Sequence, residues 1–131
     1  MSLYQLKNIS FDYGTGFSLA DINIEIEPSS ITAVVGPNGS GKTSLLNILS
    51  FLHTPGSGTL KYKEAVLNDT NLKQCRKTIG YVQQKPYLLR GTVFNNIELG
   101  LKLKQVDKIR RTEKVLEVMK VLGITALSNR I

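Results

Sequence analysis

Ile31-Thr32-Ala33-Val34-Val35, followed at once by Gly36-Pro37-Asn38-Gly39-Ser40-Gly41-Lys42-Thr43-Ser44, is the stretch on which the fold turns. A mostly apolar run leads into a glycine-rich loop, and the loop opens a segment with helical apolar spacing. Gly36, four further residues, then Gly41, Lys42 and Thr43 make the phosphate-binding loop pattern, set between a predicted strand and a predicted helix as that pattern requires. The chemistry explains the residue types. Glycines let successive backbone N–H groups turn inward around an anion, because no Cβ obstructs positive φ. The first turn of the following helix adds unpaired N–H groups and the positive end of its dipole. Lys42 then reaches the terminal phosphates of a nucleotide, and the Thr43 hydroxyl is a ligand for Mg²⁺. A plain Gly/Ser surface turn is the weaker reading once the flanking strand and helix are counted.

Beyond the loop, Leu45, Leu46, Ile48, Leu49 and Leu52 recur at helical spacing, a stripe that would pack the helix on a sheet. His53-Thr54-Pro55 ends that helix, and His53, the sole histidine, is expected on an exposed loop. Upstream, Ile9, Phe11 and Tyr13 alternate with Ser10 and Asp12, and Ile22, Ile24 and Ile26 alternate with Asn23, Glu25 and Glu27, as in half-buried strands. Gly14-Thr15-Gly16 reads as the turn between them. Ile31–Val35 lacks alternation, as expected of a strand covered on both faces. Downstream, Thr59–Tyr62 and Ile79–Val82 read as short strands and Leu72–Lys77 as a short helix. A helix from Thr92 to Leu103 has Thr92 as its N-cap, and a later one carries Val115, Val118, Met119 and Leu122 and ends at Gly123. The expected class is therefore α/β: an antiparallel β-region leading into a parallel, helix-covered sheet core. Residues 1–90 would hold the β-region and phosphate loop, and 91–131 the start of a helical region.

Composition bounds the alternatives. The chain has 131 residues, 41% of them apolar and 21% charged, as in an ordinary globular domain. It contains no apolar run long enough to span a bilayer and no secretory signal pattern, so a cytoplasmic location is expected. Cys75 stands alone, which excludes a disulfide framework. Net charge is +7, unevenly spread: residues 1–59 hold two lysines against four acids, whereas residues 60–90 hold seven basic groups against two acids. Residues 102–131 hold eight basic groups against three, but these alternate with apolar residues as on a solvated helix face. Few aromatics are interleaved for base stacking, so no nucleic acid partner is expected.

Taken together, Phe11-Asp12-Tyr13-Gly14, the loop wording from Gly36 to Ser44, Gly56-Ser57-Gly58 and Ile79-Gly80-Tyr81-Val82-Gln83-Gln84 resemble the ATP-binding subunits of ABC transporters. The resemblance covers essentially the whole chain and implies a P-loop NTPase fold. It implies that Tyr13 stacks on adenine, and that Asn38, Gly39, Ser40, Gly41, Lys42, Thr43 and Ser44 hold the phosphates of ATP. Thr43 and Gln84 would approach Mg²⁺, and Gln84 also the attacking water; Gln83, where relatives often carry proline, competes for that role. Lys42 and Gln84 would be the catalytic pair. Residues 87–97 would contact a transmembrane permease subunit, and a second ATP-binding subunit would complete the site as a dimer, on the inner face of the membrane.

The departures from the family pattern are as specific. No Leu-Ser-Gly-Gly-Gln-like signature, no apolar strand ending in an acid pair and no switch histidine follow in these residues. The chain resembles the N-terminal portion of such a subunit, with its C-terminal part missing. ATP binding without efficient hydrolysis is the expectation, since Mg²⁺ in such sites is also held by an acidic residue. The missing strands would leave an edge beside Ile31–Val35 and part of the Leu45, Leu49 and Leu52 face uncovered, favouring self-association. A small P-loop kinase would need an Arg-rich lid, and Arg110-Arg111 is the only Arg pair. A guanine-reading Asn-Lys-x-Asp motif is absent, against a GTPase. The remaining alternative is a non-catalytic nucleotide-binding fragment. The transported solute is not legible, although 96–103 looks more like importers than exporters.

Overall fold

The computed structural model describes residues 1–14 and 18–131, so the expected turn at Thr15 and Gly16 lies outside the described residues. The chain divides into two compact units, Met1–Tyr81 and Val82–Ile131.

The first unit is built on a four-stranded antiparallel sheet. Its strands are β1 (Tyr4–Asp12), β2 (Ser18–Ile26), β3 (Ser57–Tyr62) and β4 (Ala65–Val66), in the order β2-β1-β3-β4. Helix α1 (Lys42–Leu49) packs on it, and a short helix, α2 (Leu72–Arg76), follows the sheet. β1 is central and carries Leu6 and Ile9, both buried. In a regular strand residues three apart face opposite sides, so a break in the alternation is needed. It is supplied by a bulge: Asn8 has φ +51°, and the pairing register shifts between Leu6 and Ile9. The partner strand accommodates it at Gly58, whose φ is +90° and where a Cβ would lie 2.4 Å from the Asn8 carbonyl oxygen. Leu6, Ile9, Leu19, Leu45, Ile48, Phe51, Leu60 and Tyr62 then form one core.

α1 ends by a six-to-one and a five-to-two bond, Leu52 N to the Asn47 carbonyl (2.8 Å) and Phe51 N to the Ile48 carbonyl (3.0 Å). This is the Schellman arrangement, whose left-handed position is usually glycine. Here Phe51 takes it, with φ +61°. The local cost of about 1–2 kcal/mol is offset by burial of its ring, 1% exposed, against Tyr4 and Tyr62 at centroid distances of 6.0 and 5.3 Å.

Two expected strands are not formed. Ile31–Val35 and Ile79–Val82 make no strand pairing among the described residues. Apolar composition alone does not make a strand, because a neighbouring backbone must offer a ladder, and the four paired strands here come from before residue 27 and after residue 56. The two runs therefore differ from the expected parallel core. Ile31 is fully exposed and Val35 91% exposed, while Val34 and Ile79 pack against the core. The apolar stripe of α1 is divided in the same way. Leu45 and Ile48 are buried and Leu49 is half-buried, but Leu46 and Leu52 are about half exposed.

The second unit consists of α3 (Val93–Leu103), α4 (Lys108–Val121) and a single 3₁₀ turn at Thr125–Leu127. Thr92 caps α3 as its sequence suggests, its hydroxyl accepting from Asn95 N at 3.1 Å. Asp107 caps α4, and Gly123 (φ +69°) closes it in a second Schellman motif, with Ile124 N on the Met119 carbonyl at 2.9 Å. Val115 and Met119 are fully buried; Val118 and Leu122, expected beside them, are 45% and 62% exposed. The i and i+4 pair forms the contact line, and the neighbouring stripe is turned from it. Arg111 donates to Glu98 at 2.7 Å and joins the two helices. No helix of the described residues is long and apolar enough to cross a membrane.

Two outcomes follow for stability. Gly58→Ala should lower the midpoint of chemical denaturation, because the left-handed φ alone costs a non-glycine residue about 1–3 kcal/mol and the new Cβ meets backbone on the other strand. An unchanged midpoint would show that the bulge yields freely. The second concerns Tyr4, whose phenol donates to the Leu49 carbonyl at 3.0 Å. Burial, with Tyr62 and Cys75 adding to it, pushes that phenol from 10.0 up to about 12. The folded form thus keeps a proton that the unfolded chain gives up, so this contribution is intact below pH 10 and is lost as pH rises through 12. Tyr4→Phe should start less stable by about 0.5–1.5 kcal/mol for the lost hydrogen bond but lose less on alkaline titration. Parallel stability curves for the two proteins across that range would rule out the linkage.

Candidate functional site

The glycine-rich loop lies between Val35 and α1. Ser40 N donates to the Pro37 carbonyl at 3.3 Å, which closes a turn around Asn38 and Gly39. Gly39 and Gly41 have φ of +81° and +90°, and the left-handed Gly41 is itself the N-cap of α1. This places glycine where the chain reverses and again where the helix begins. Gly36 is close-packed, since a Cβ there would sit 2.8 Å from Ser40 Oγ. No side chain caps α1, and its first turn has no acidic residue. Among the described residues the N–H groups of Gly41, Lys42, Thr43 and Ser44 meet no acceptor. The positive end of the helix is therefore uncompensated.

Lys42 folds over the loop. Its Nζ donates to the Gly36 carbonyl at 2.9 Å and to the Pro37 carbonyl at 2.7 Å, which holds a positive charge at the rim of the same turn. Thr43 is exposed beside it. Asn38, Gly39 and Ser40 are exposed as well. Donor groups, a cation and an oxygen ligand stand within consecutive residues, a set that fits a phosphate chain with its divalent ion. Among the described residues no cluster of three or more carboxylate, histidine or cysteine groups stands ready for a metal ion.

Ser44 differs from its neighbours. It is 6% exposed, and its hydroxyl donates to Tyr13 Oη at 3.3 Å. Tyr13, just past the end of β1, is 44% exposed. The structure thus brings Tyr13, Ser44 and the phosphate loop together. Gln84 and Gln83 belong to the second unit, where both are exposed.

Residues that sequence reasoning missed cluster at the other end of α1. Tyr81 Oη donates to Asn47 Oδ1 at 2.8 Å, and the guanidinium of Arg76 donates to the Phe51 carbonyl. His53 is half-buried, contrary to the exposed loop expected for it. Its ring meets Tyr13 at 5.5 Å and Phe11 at 5.1 Å between centroids, because the Schellman turn at Phe51 folds the chain back toward β1. Neither spacing nor hydropathy signals that contact; only the aromatic character of the three residues does.

The family model for ABC transporters matches residues 19–131. The chain belongs to the ABC transporter family, and specifically to its ATP-binding proteins. It is 36% identical over 126 residues to the tungstate uptake system ATP-binding protein TupC of Peptoclostridium acidaminophilum, covering 95% of this chain and 56% of that protein. It is 37% identical over 111 residues to the mitochondrial ATP-dependent permease MDL1 of Saccharomyces cerevisiae, covering 80% of this chain but 16% of that one. A solved dimeric ATP-binding cassette in a post-hydrolysis state, bound to ADP and Pi, superposes with a TM-score of 0.83 at 29% identity, over 96% of this chain and 60% of its own. The fold is therefore that of the N-terminal part of the ABC ATPase cassette, a P-loop NTPase. Members of the family generally bind ATP with Mg²⁺.

Proposed function

We propose that these 131 residues form the ATP-cradling part of a transporter ATP-binding subunit that couples ATP binding and hydrolysis to solute uptake. The observation that carries this reading is the loop itself: left-handed Gly39 and Gly41, four free N–H groups at the start of α1, and Lys42 held at the rim. In this reading the N–H groups and Lys42 bind the β- and γ-phosphates, Thr43 ligates Mg²⁺, and the exposed face of Tyr13 stacks on adenine. Asn38, Ser40 and Ser44 complete the loop, Ser44 by fixing Tyr13. Gln84 serves Mg²⁺ and the attacking water once the site closes. Mg²⁺, when bound, supplies neutralisation of charge on the transferring phosphoryl group. Efficient turnover would need an acidic metal ligand beyond those this stretch provides, so binding without efficient hydrolysis is proposed for the 131 residues alone. The chain spans 56% of the TupC relative and 16% of MDL1, and the uptake direction is taken from the former, which matches nearly the whole chain. A permease subunit, reached through residues 87–97, and a second ATP-binding subunit are the partners proposed. The location proposed is the cytoplasmic face of the membrane.

Equilibrium binding of Mg-ATP tests the cradle. Lys42→Ala should weaken it by about tenfold or more, because a charge-assisted contact contributes about 1.5–3 kcal/mol; equal affinities would remove the loop from the function. Base selection should be weak, since a stacking face does not read base edges. GTP should compete with ATP to within roughly an order of magnitude, and strict exclusion of GTP in a competition titration would contradict stacking by Tyr13.

A further inference from the structure

We propose that His53 is a positioning residue for the nucleoside, holding the ring of Tyr13 in the orientation in which it receives the base. The proposal rests on the nucleotide reading of the phosphate loop and extends it to a residue outside that loop. Three rings are packed together where β1 ends and the turn after α1 returns. Phe11 meets Tyr13 edge-on, with centroids 4.8 Å apart and planes at 87°. His53 meets Tyr13 edge-on in turn, at 5.5 Å and 86°, and lies against Phe11 at 5.1 Å and 37°. Tyr13 is therefore braced by two rings. Its hydroxyl also accepts from Ser44 Oγ at 3.3 Å, with His53 Nε2 close by at 3.5 Å. Even so, Tyr13 remains 44% exposed.

A partly exposed tyrosine at a strand end ordinarily samples several rotamers, and a stacking contact then pays for fixing one of them. Here the rotamer is set before any base arrives. Edge-to-face pairing also suits a ring whose faces are electron-rich and whose rim is positive. The position of His53 follows from α1. Its backbone N–H donates to the Asn47 carbonyl at 3.2 Å, in the same capping arrangement that ends the helix. Helix, Schellman turn, His53 and Tyr13 thus form a continuous series of contacts from the phosphate loop's helix to the base-stacking ring.

The test compares Mg-ATP with inorganic tripolyphosphate, which offers the phosphate loop its ligand without a base. His53→Ala in the full chain should weaken ATP by about two- to tenfold, the range of one aromatic pair, and leave tripolyphosphate affinity unchanged. His53→Phe, which keeps a ring, should recover most of the ATP affinity, and in a Tyr13→Ala background His53→Ala should have no further effect. Equal weakening of both ligands would mean that His53 acts only on the fold and would overturn the proposal. So would an unchanged ATP affinity in His53→Ala, or an undiminished effect without Tyr13. Wild-type protein that binds neither ATP nor tripolyphosphate would overturn the nucleotide reading itself, and this proposal with it. Binding of tripolyphosphate with no preference for ATP would leave the cradle standing and overturn only the role given to Tyr13 and His53.

Discussion

A helix of eight residues does not hold itself together in water, and the phosphate loop depends on one. Its free N–H groups converge only while α1 keeps a fixed axis and a fixed start. The structure meets that demand from the far end. Leu45 and Ile48 seat the helix in the core. Tyr4 donates to the Leu49 carbonyl, Tyr81 to the Asn47 side chain and Arg76 to the Phe51 carbonyl, so three separate segments tie down the C-terminal turn. The backbone N–H groups of the N-terminal turn have no such partners among the described residues. An element anchored at its negative end and open at its positive end is what anion binding requires.

Phe51 joins these anchors to the sheet. Its backbone adopts a conformation that a side chain resists, and its ring occupies the centre of the core. The two facts are coupled: glycine would relieve the turn but remove the ring, and any regular φ would keep the ring but misdirect the chain at Leu52 and His53. A strained residue maintained by packing is a common feature near functional sites. Here the strain sits at the rear of the helix, and its consequence appears at both ends of the site proposed for the nucleotide. The loop is aimed by α1, and Tyr13 is braced by the histidine that the turn delivers.

What was legible in the sequence was local chemistry. The loop spacing, the Thr92 cap and the Gly123 closure each specify backbone geometry within a few residues, and the structure carries all three. Pairing was less legible because it is set by segments far apart. Ile31–Val35 has the composition of a buried strand, but no other segment offers it a ladder among the described residues, and Ile31 and Val35 face solvent. The bulge at Asn8 was hidden for a similar reason: its necessity appears only when Leu6 and Ile9 must face one core, and its partner Gly58 is fifty residues away. His53 was misplaced because a Pro-Gly-Ser-Gly tail looks like an exposed loop, whereas the turn at Phe51 folds it inward.

The contacts of Lys42 bear on how the loop discriminates between ligands. Its ammonium already has two acceptors, the Gly36 and Pro37 carbonyls, at 2.9 and 2.7 Å. In the proposed function a phosphate does not satisfy a bare charge; it competes with neutral oxygens for an ammonium that is already hydrogen-bonded. The gain is the difference between a charge-assisted bond to an anion and one to a carbonyl, which sets the loss expected of Lys42→Ala nearer to about tenfold than to the full range of such a bond. In that function affinity is the sum of the lysine, four N–H groups, the helix dipole and the base stack. That arrangement favours a ligand presenting a phosphate chain and a planar base at the spacing of loop and tyrosine. It gives a lone sulfate or carboxylate little purchase, since either would take the rim contacts and forgo the rest.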